Sequence, residues 1–260
     1  MTVNKLDIVI IQANLIWENP SINRSHFVKA IDTLKKKPDV IILPEMFTSG
    51  FSMNANKFAE TMDGETINWL KETASNHNLA IAGSLAIKEG SQFYNRFVFV
   101  EPSGKISHYD KRHTFTLAKE GEVFTSGNNK IIIDYKDWRI CPMICYDLRF
   151  PVWARNTEDY DVLIYVANWP KPRISAWDAL LKARAIENMC YCIGVNRVGA
   201  DAKGYEYPGH STVYDVLGNR MTNLMVNKEA IHTITLYKKP LQKYRKALGF
   251  LNDRDTFNLE

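Results

Sequence analysis

Short apolar runs alternate along the chain with segments of helical periodicity, and this alternation restricts the fold to the α/β class. The runs Asp7–Ala13 and Val40–Leu43 are typical of buried strands. Between them, four apolar residues within Phe27–Leu34 recur at i, i+3, i+4 and i+7, which places them on one face of a helix. Strands that alternate with helices in this way favour a sheet covered by helices.

The same pattern continues to the end of the chain. A helix is predicted around Ile67–Ala74 and a longer one over Ser175–Tyr191. Ser211–Val216 and Ala230–Leu236 are predicted to close the domain as hairpin-like strands. The remaining predicted strands are Leu79–Ile87, Phe97–Val100, Lys105–Tyr109, Trp138–Ile144, Asp161–Ala167 and Cys192–Val198.

Composition limits the class of protein further. The 260 residues are 45% hydrophobic and 24% charged, as in ordinary globular chains. With no Ser/Gly-rich linker and no tandem repeat, the sequence predicts one α/β domain over residues 1–260, with a short C-terminal extension from about Lys238. The net charge of +4 is small, and the basic stretches Lys35–Lys37 and Lys238–Lys246 are typical of solvated surface, so no nucleic-acid partner is expected.

The sequence also predicts no membrane partner. No apolar stretch approaches the roughly 18 residues that a spanning helix requires. The N-terminal segment enters an apolar strand directly, without the basic region, apolar core and cleavage site of a secretory signal. We therefore expect a cytoplasmic protein.

Three loops that follow predicted strands carry reactive groups. Glu45 follows the run Val40–Leu43, Lys111 ends a strand-like segment, and Cys145 stands where an apolar strand meets a turn. A buried carboxylate can serve as a general base, a lysine ammonium can stabilise an oxyanion, and a thiol can act as a nucleophile. Taken alone, each residue is more typical of a structural or surface role. Cys141 is a competing thiol, but it lies deeper in the strand.

Cysteine spacing and the histidines offer two other interpretations. Cys141 and Cys145 form a C-x3-C pair, and Cys190 and Cys192 a C-x-C pair, but both lie in apolar, strand-rich segments without clustered histidines. This favours reduced thiols over a zinc site, and we expect no bound metal. A Cys–His hydrolase would use His113 or His210, and the sequence gives no reason to prefer either over Glu45.

The order and spacing of the three loops match a known pattern. L-P-E-M-F contains Glu45, Y-D-K-R-H-T-F contains Lys111, and I-C-Y-D-L-R-F-P contains Cys145. These segments resemble those around the Glu–Lys–Cys triad of the nitrilase (carbon–nitrogen hydrolase) superfamily. The resemblance extends over nearly the whole chain, from Ile8 to about Leu236.

Two longer segments, Leu43–Phe51 and Asn168–Gly199, resemble the bacterial omega-amidase branch of that superfamily. The resemblance implies an α-β-β-α sandwich, a homodimer formed through the helices that back the sheets, and no metal or organic cofactor. It also implies a second glutamate after the lysine. Glu120, nine positions after Lys111, is our assignment, and Glu122 is the alternative.

The resemblance implies a chemistry as well. Glu45 would act as the general base and Cys145 as the nucleophile, while Lys111 and the backbone N–H of Tyr146 would hold the oxyanion. The expected substrates are small-molecule omega-amides of α-keto dicarboxylic acids, 2-oxoglutaramate and 2-oxosuccinamate. The same residues would serve for other small amides, N-carbamoyl compounds or nitriles. A non-catalytic binding module on this fold is a third alternative.

Candidate substrate-binding residues lie near the same loops. The aromatic candidates are Phe47, Phe51, Phe115, Trp169 and Trp177, of which the two tryptophans also fit core packing. A substrate carboxylate requires a cation, and arginine offers a bidentate fork. The candidate cations are Arg149, Arg173 and Lys171.

Overall fold

The computed structural model describes residues 4–259, so Met1–Val3 and Glu260 of the predicted domain lie outside the described range. Within that range the chain forms thirteen strands. They are β1 (Lys5–Gln12), β2 (Val40–Ile42), β3 (Ala80–Glu89), β4 (Gln92–Val100), β5 (Ile106–Asp110), β6 (Ile133–Tyr135), β7 (Trp138–Ile144), β8 (Val162–Ala167), β9 (Tyr191–Asn196), β10 (Val198–Ala200), β11 (Glu206–Pro208), β12 (Thr212–Tyr214) and β13 (Ala230–Tyr237).

The α-helices of the described residues are six in number. They are α1 (Pro20–Asp32), α2 (Ala55–Phe58), α3 (Glu65–His77), α4 (Pro151–Ala154), α5 (Ile174–Glu187) and α6 (Lys238–Leu248). Short 3₁₀ turns occupy 116–118, 120–122, 145–149, 171–173 and 250–253. The predicted helix Ser175–Tyr191 is too long at its C-terminus, because the chain leaves the helix after Glu187 and Met189 adopts a left-handed conformation.

Two sheets pack face to face between helices. The first has the strand order β13-β1-β2-β3-β4-β5 and the second β12-β9-β8-β7-β6. Alternate residues of β1 serve different cores: Ile8 and Ile10 face the space between the sheets, whereas Val9 and Ile11 pack with α1 and α3. Because α5 packs on the far side of the second sheet, the layers run α-β-β-α, which confirms the predicted fold class.

Parallel strands at the centre of each sheet determine where functional groups can meet. β1, β2 and β3 run parallel in the first sheet, and β7, β8 and β9 in the second. Ligands of such sheets bind outside the carboxyl ends of the strands. Glu45 follows β2 and Cys145 follows β7, so both lie at such ends.

The predicted hairpin of Ser211–Val216 with Ala230–Leu236 is wrong. A turn does follow β12, and Met221 returns a hydrogen bond from its N–H to the Val213 carbonyl. The chain then crosses to the other sheet, where β13 pairs antiparallel with β1 along its whole length. The apolar residues Ile234 and Leu236 are thereby buried between the sheets, which a hairpin at the edge of the second sheet would not achieve.

The basic C-terminal stretch forms α6 directly after β13. Leu241 is buried, and the guanidinium of Arg245 donates to the carbonyl of Met189 and pairs with Asp161 at 3.3 Å. The predicted C-terminal extension therefore packs against the second sheet. No helix of residues 4–259 combines the length and apolarity needed to cross a bilayer.

Candidate active site

Four predicted residues come together where strands of the two sheets end. Glu45 follows β2, Lys111 follows β5, and Cys145 follows β7. Glu120 lies in the 3₁₀ turn 120–122. The two carboxylates and the ammonium are almost completely buried, and Cys145 is partly exposed beside them. Residues far apart in sequence thus form one cluster.

Lys111 links the two carboxylates. Its Nζ lies 3.0 Å from Glu45 Oε1 and 2.9 Å from Glu120 Oε2, and 5.1 Å from the centre of the Phe51 ring. Burial alone would lower the pKa of Lys111, but the charges of Glu120 and Glu45 outweigh it and raise that pKa above its ordinary value. The side chain of Lys111 therefore stays a charged ammonium.

Glu120, rather than Glu122, belongs to this cluster. Its carboxylate accepts the backbone N–H of Phe115 at 2.6 Å and the Asn95 amide at 3.2 Å. Burial raises the pKa of Glu120, although the neighbouring ammonium opposes the shift. Glu122 instead points to the surface and forms an exposed ion pair with Lys119.

Glu45 is held by donors on three other parts of the chain. Besides Lys111, Asn95 donates from Nδ2 to Oε1 at 2.9 Å. Asn168 donates its backbone N–H to Oε2 at 2.8 Å and its Nδ2 to the same oxygen at 3.3 Å and to the Glu45 carbonyl at 2.8 Å. The carboxylate is therefore fixed in place as a hydrogen-bond acceptor.

Sequence reasoning missed Asn95 and Asn168, together with Ser84, whose hydroxyl donates to Asn95 Oδ1 at 2.9 Å. Two signals were available. Asn95 is a polar residue within β4, which is mostly aromatic and apolar, and Asn168 directly follows β8, a parallel strand whose carboxyl end adjoins that of β7. Neither signal alone shows that the asparagine would bind Glu45.

Cys145 occupies a sharp turn between β7 and the 3₁₀ turn 145–149. Its φ of 44° lies in the left-handed region, which is strained for a residue with a side chain. Burial raises the pKa of the Cys145 thiol well above its usual value, and the charge of Glu45 adds to the increase. Tyr146 is the second residue of the 3₁₀ turn 145–149. Backbone N–H groups at the start of a helical turn have no intrahelical acceptor, so the N–H of Tyr146 can donate to another group.

The carboxylate of Asp147 stabilises the turn that carries Cys145. This buried carboxylate accepts the backbone N–H of Ile144 at 3.0 Å and the hydroxyl of Tyr109 at 2.8 Å. Because Tyr109 belongs to β5, this contact ties the turn of Cys145 to the strand that precedes Lys111. The nucleophile and the ammonium are therefore positioned relative to each other by buried polar contacts.

Neither candidate histidine adjoins the cluster as a base. His113 Nδ1 lies 2.8 Å from Asp147, and its ring stacks on Phe150 at 3.6 Å. His210 Nδ1 lies 2.9 Å from Asp178. The Cys145 thiol is instead hydrogen-bonded to the carboxylate of Glu45.

The other three cysteines lie in the apolar interior. Cys141, Cys190 and Cys192 are fully buried free thiols, and burial raises the pKa of Cys141 to about 12. Among the described residues, no three His, Cys, Asp or Glu side chains are grouped in a way that could hold a metal ion. Cys145 is therefore the thiol that borders a cavity.

A cavity of about 250 Å³ opens beside Cys145. Its wall includes seven further residues that the sequence or the contacts above single out: Phe51, Phe115, Tyr146, Arg149, Asn168, Trp169 and Arg173. Phe47 and Trp177 were also predicted to be pocket residues. The structure describes both of them, and neither lines this cavity. Phe47 packs against Phe27 and Trp69 on the helix side of the first sheet, and Trp177 is fully buried beneath Trp169.

Two guanidinium groups face this cavity. Arg149 lies over the ring of Trp169 at 5.0 Å, and Arg173 over the ring of Phe115 at 5.1 Å. Neither forms a salt bridge with any residue in the described range. Lys171 instead pairs with Glu206 at 2.6 Å on the surface. Of the three cations predicted from the sequence, the two arginines are thus the ones placed to bind an anionic substrate.

Comparison with known proteins places this geometry among hydrolases. The family model described as carbon–nitrogen hydrolase matches residues 8–246. The chain is 42% identical to omega-amidase YafV of Escherichia coli K12, over 98% of each chain, and 34% identical to 2-oxoglutaramate amidase of Bacillus subtilis 168, over 82% and 84%. A CN-hydrolase superfamily protein of Xanthomonas campestris, with an arsenic adduct in its active site, superposes with a TM-score of 0.96 at 38% identity, over 99% and 100%.

Proposed function

Because the chain belongs to the carbon–nitrogen hydrolase family, we propose that it is an omega-amidase, which hydrolyses the terminal amide of small α-keto dicarboxylic acid amides to the acid and ammonia. The observation that carries the proposal is the convergence of three groups at the edge of a small cavity: the Cys145 thiol is hydrogen-bonded to Glu45, and Glu45 is paired with the buried ammonium of Lys111 at 3.0 Å. The full-length similarity to omega-amidases supports the same substrate class.

The first half-reaction forms a thioester. The raised pKa of Cys145 keeps the sulfur protonated at rest, so Glu45 removes the proton as the sulfur attacks the amide carbon. Lys111 and the N–H of Tyr146 stabilise the oxyanion. Glu45 then gives the proton to the nitrogen, the C–N bond breaks with its electron pair going to nitrogen, and ammonia leaves.

The second half-reaction releases the acid. Glu45 removes a proton from water, whose oxygen attacks the thioester carbon, and the same two donors hold the second oxyanion. The C–S bond breaks, and the proton returns to sulfur. Glu120 positions Lys111 throughout, since both of its oxygens bind Nζ, at 3.0 and 2.9 Å.

The cavity supports an anionic substrate. 2-Oxoglutaramate and 2-oxosuccinamate carry a carboxylate at the end opposite the amide, and Arg149 and Arg173 offer forked donors for it. Neutral small amides, N-carbamoyl compounds and nitriles are the alternative substrates of the same thioester chemistry. A panel of these compounds, compared by kcat/KM, distinguishes them.

Ammonia release and acyl-enzyme trapping test the proposal together. The wild type should release ammonia from 2-oxoglutaramate, and Cys145→Ala should reduce the rate at least about a thousandfold. The matched control is Cys190→Ala, which removes a buried thiol outside the site and should retain activity. Intact-mass detection of a thioester on Cys145 supports the mechanism. Full activity of Cys145→Ala would exclude it.

The proposal includes a single-domain, cytoplasmic homodimer with no nucleic-acid or membrane partner. Exposed apolar side chains on and beside the helices of the second sheet support self-association, among them Val152, Ile186 and Leu217. Light scattering should give twice the mass of one chain. A species with the mass of a single chain at micromolar concentration would contradict the dimer.

A further inference from the structure

Asn168 stands between Glu45 and the cavity. It is the first residue after β8, it is 95% buried (5% exposed), and it lines the cavity beside Cys145. Its backbone N–H and its side-chain amide both donate to Glu45. The residue therefore touches the carboxylate proposed to carry the proton and also borders the space proposed to hold the substrate.

The hydrogen bonds of Asn168 fix the orientation of its carboxamide. Nδ2 lies 2.8 Å from the carbonyl oxygen of Glu45 and 3.3 Å from its Oε2, and both partners are acceptors. The opposite orientation would set Oδ1 against two acceptors, so the nitrogen must face Glu45. Oδ1 then points away from that carboxylate.

This Oδ1 is a buried acceptor that receives no hydrogen bond from any residue in the range 4–259. A buried polar atom without a partner costs free energy, and native proteins seldom retain one without a reason. Asn95 provides the contrast, because its Nδ2 also donates to Glu45 but its Oδ1 is satisfied by the hydroxyl of Ser84. An asparagine can therefore donate a hydrogen bond to Glu45 and still have its own Oδ1 satisfied by a donor.

We propose that Asn168 Oδ1 accepts a hydrogen bond from the substrate's primary amide nitrogen and retains it as that nitrogen leaves, so that Asn168 selects primary amides. This inference rests on the proposed function, in which Glu45 protonates the departing nitrogen. An NH₂ group within reach of Glu45 presents a second N–H, and the carboxamide bonded to Glu45 supplies the matching acceptor. Sulfur replaces nitrogen on the acyl carbon, and the nitrogen takes both the electron pair and the proton.

The experiment compares two leaving groups on one acid. The primary amide and the methyl ester form the same thioester, but the ester has no N–H for Oδ1. The variants are Asn168→Ala and, as matched control, Asn95→Ala, each of which removes one side-chain donor from Glu45. The measured quantity is the ratio of kcat/KM for amide to that for ester, with folding checked by circular dichroism.

The expected result is that Asn168→Ala lowers the amide-to-ester ratio about tenfold to a hundredfold more than Asn95→Ala does. Equal decreases in the two variants would overturn the inference, because they would assign Asn168 to support of Glu45 alone. A thioester that accumulates in Asn168→Ala from both substrates would also overturn it, since the acceptor would then serve the attacking water.

A measurement on the wild type keeps the inference testable if Asn168→Ala does not fold. The N-methyl amide of the same acid should show a kcat/KM at least about tenfold below that of the primary amide, and equal values would overturn the inference. A wild type that hydrolyses neither amide nor ester would refute the proposed function itself. Activity on both, with an unchanged ratio in Asn168→Ala, would refute only the role of Asn168.

Discussion

Replacement of Lys111 by methionine should destabilise the protein strongly, because two buried carboxylates would lose their shared cation. Nζ lies 3.0 Å from Glu45 and 2.9 Å from Glu120, and all three side chains are almost completely inaccessible. Removal of one partner from a buried ion pair costs about 3–5 kcal/mol, since the remaining charge is left without compensation. For a chain of this length, that corresponds to a decrease of roughly 6–20 °C in Tm.

The loss of stability caused by Lys111→Met should become larger as pH rises. Burial already raises the pKa of Glu120, and removal of the ammonium removes the contribution that opposes the increase. A group whose pKa is raised by folding stabilises the folded state below its unfolded pKa and loses that contribution as pH rises through the folded value. Lys111→Met should therefore be most destabilised at pH 8–9 and should recover stability as pH falls towards about 5.

Urea unfolding followed by circular dichroism between pH 5 and 9 measures this effect. The control is Lys119→Met, whose lysine is 74% exposed and pairs with Glu122 on the surface, so the change should be within about 0.5 kcal/mol. A second substitution, Glu120→Gln, should restore part of the stability of Lys111→Met. Wild-type stability of Lys111→Met at pH 8, or stability that decreases towards pH 5, would refute the reasoning.

Two further predictions concern the thiol and the arginines. Because burial and then the Glu45 charge raise the pKa of Cys145, its alkylation by iodoacetamide should accelerate through pH 9, with Cys145→Ala as the unlabelled control. A rate that reaches its plateau below pH 7 would contradict this. Arg149→Ala or Arg173→Ala should raise KM about tenfold or more for 2-oxoglutaramate but not for a neutral amide. Lys171→Ala should leave both KM values unchanged, and equal effects on charged and neutral substrates would argue against carboxylate binding.

Local pattern was sufficient to predict most strands and the positions of the reactive groups. Val40–Leu43 is a continuous apolar run and Trp138–Ile144 is a mostly apolar one, and such runs identify buried parallel strands whose ends carry function. The partner of β13 could not be predicted in this way. Its alternation specifies one buried face, but which sheet edge it completes depends on surfaces that form far away in sequence.

Phe47 shows why proximity in sequence does not predict proximity in a site. It stands two residues after Glu45, yet Met46 between them adopts a φ of 43°, and the chain turns there. The Phe47 ring consequently packs with Phe27 behind the first sheet, while the Glu45 carboxylate lies beside Lys111. A left-handed residue without glycine leaves no clear sequence signal, so this reversal was not predictable.

The contacts of Glu45 explain why the missed asparagines matter. In the proposed cycle this carboxylate accepts and returns a proton twice, so any movement between steps would add reorganisation to each barrier. Its donors come from three separate places: Asn95 in the first sheet, Lys111 after β5, and Asn168 at the end of β8 in the second sheet. A group held from both sheets can move only if the sheets move. The apolar pattern of the sequence specifies the packed core between the sheets. That core therefore holds the proposed base, Glu45, at a fixed position relative to Cys145.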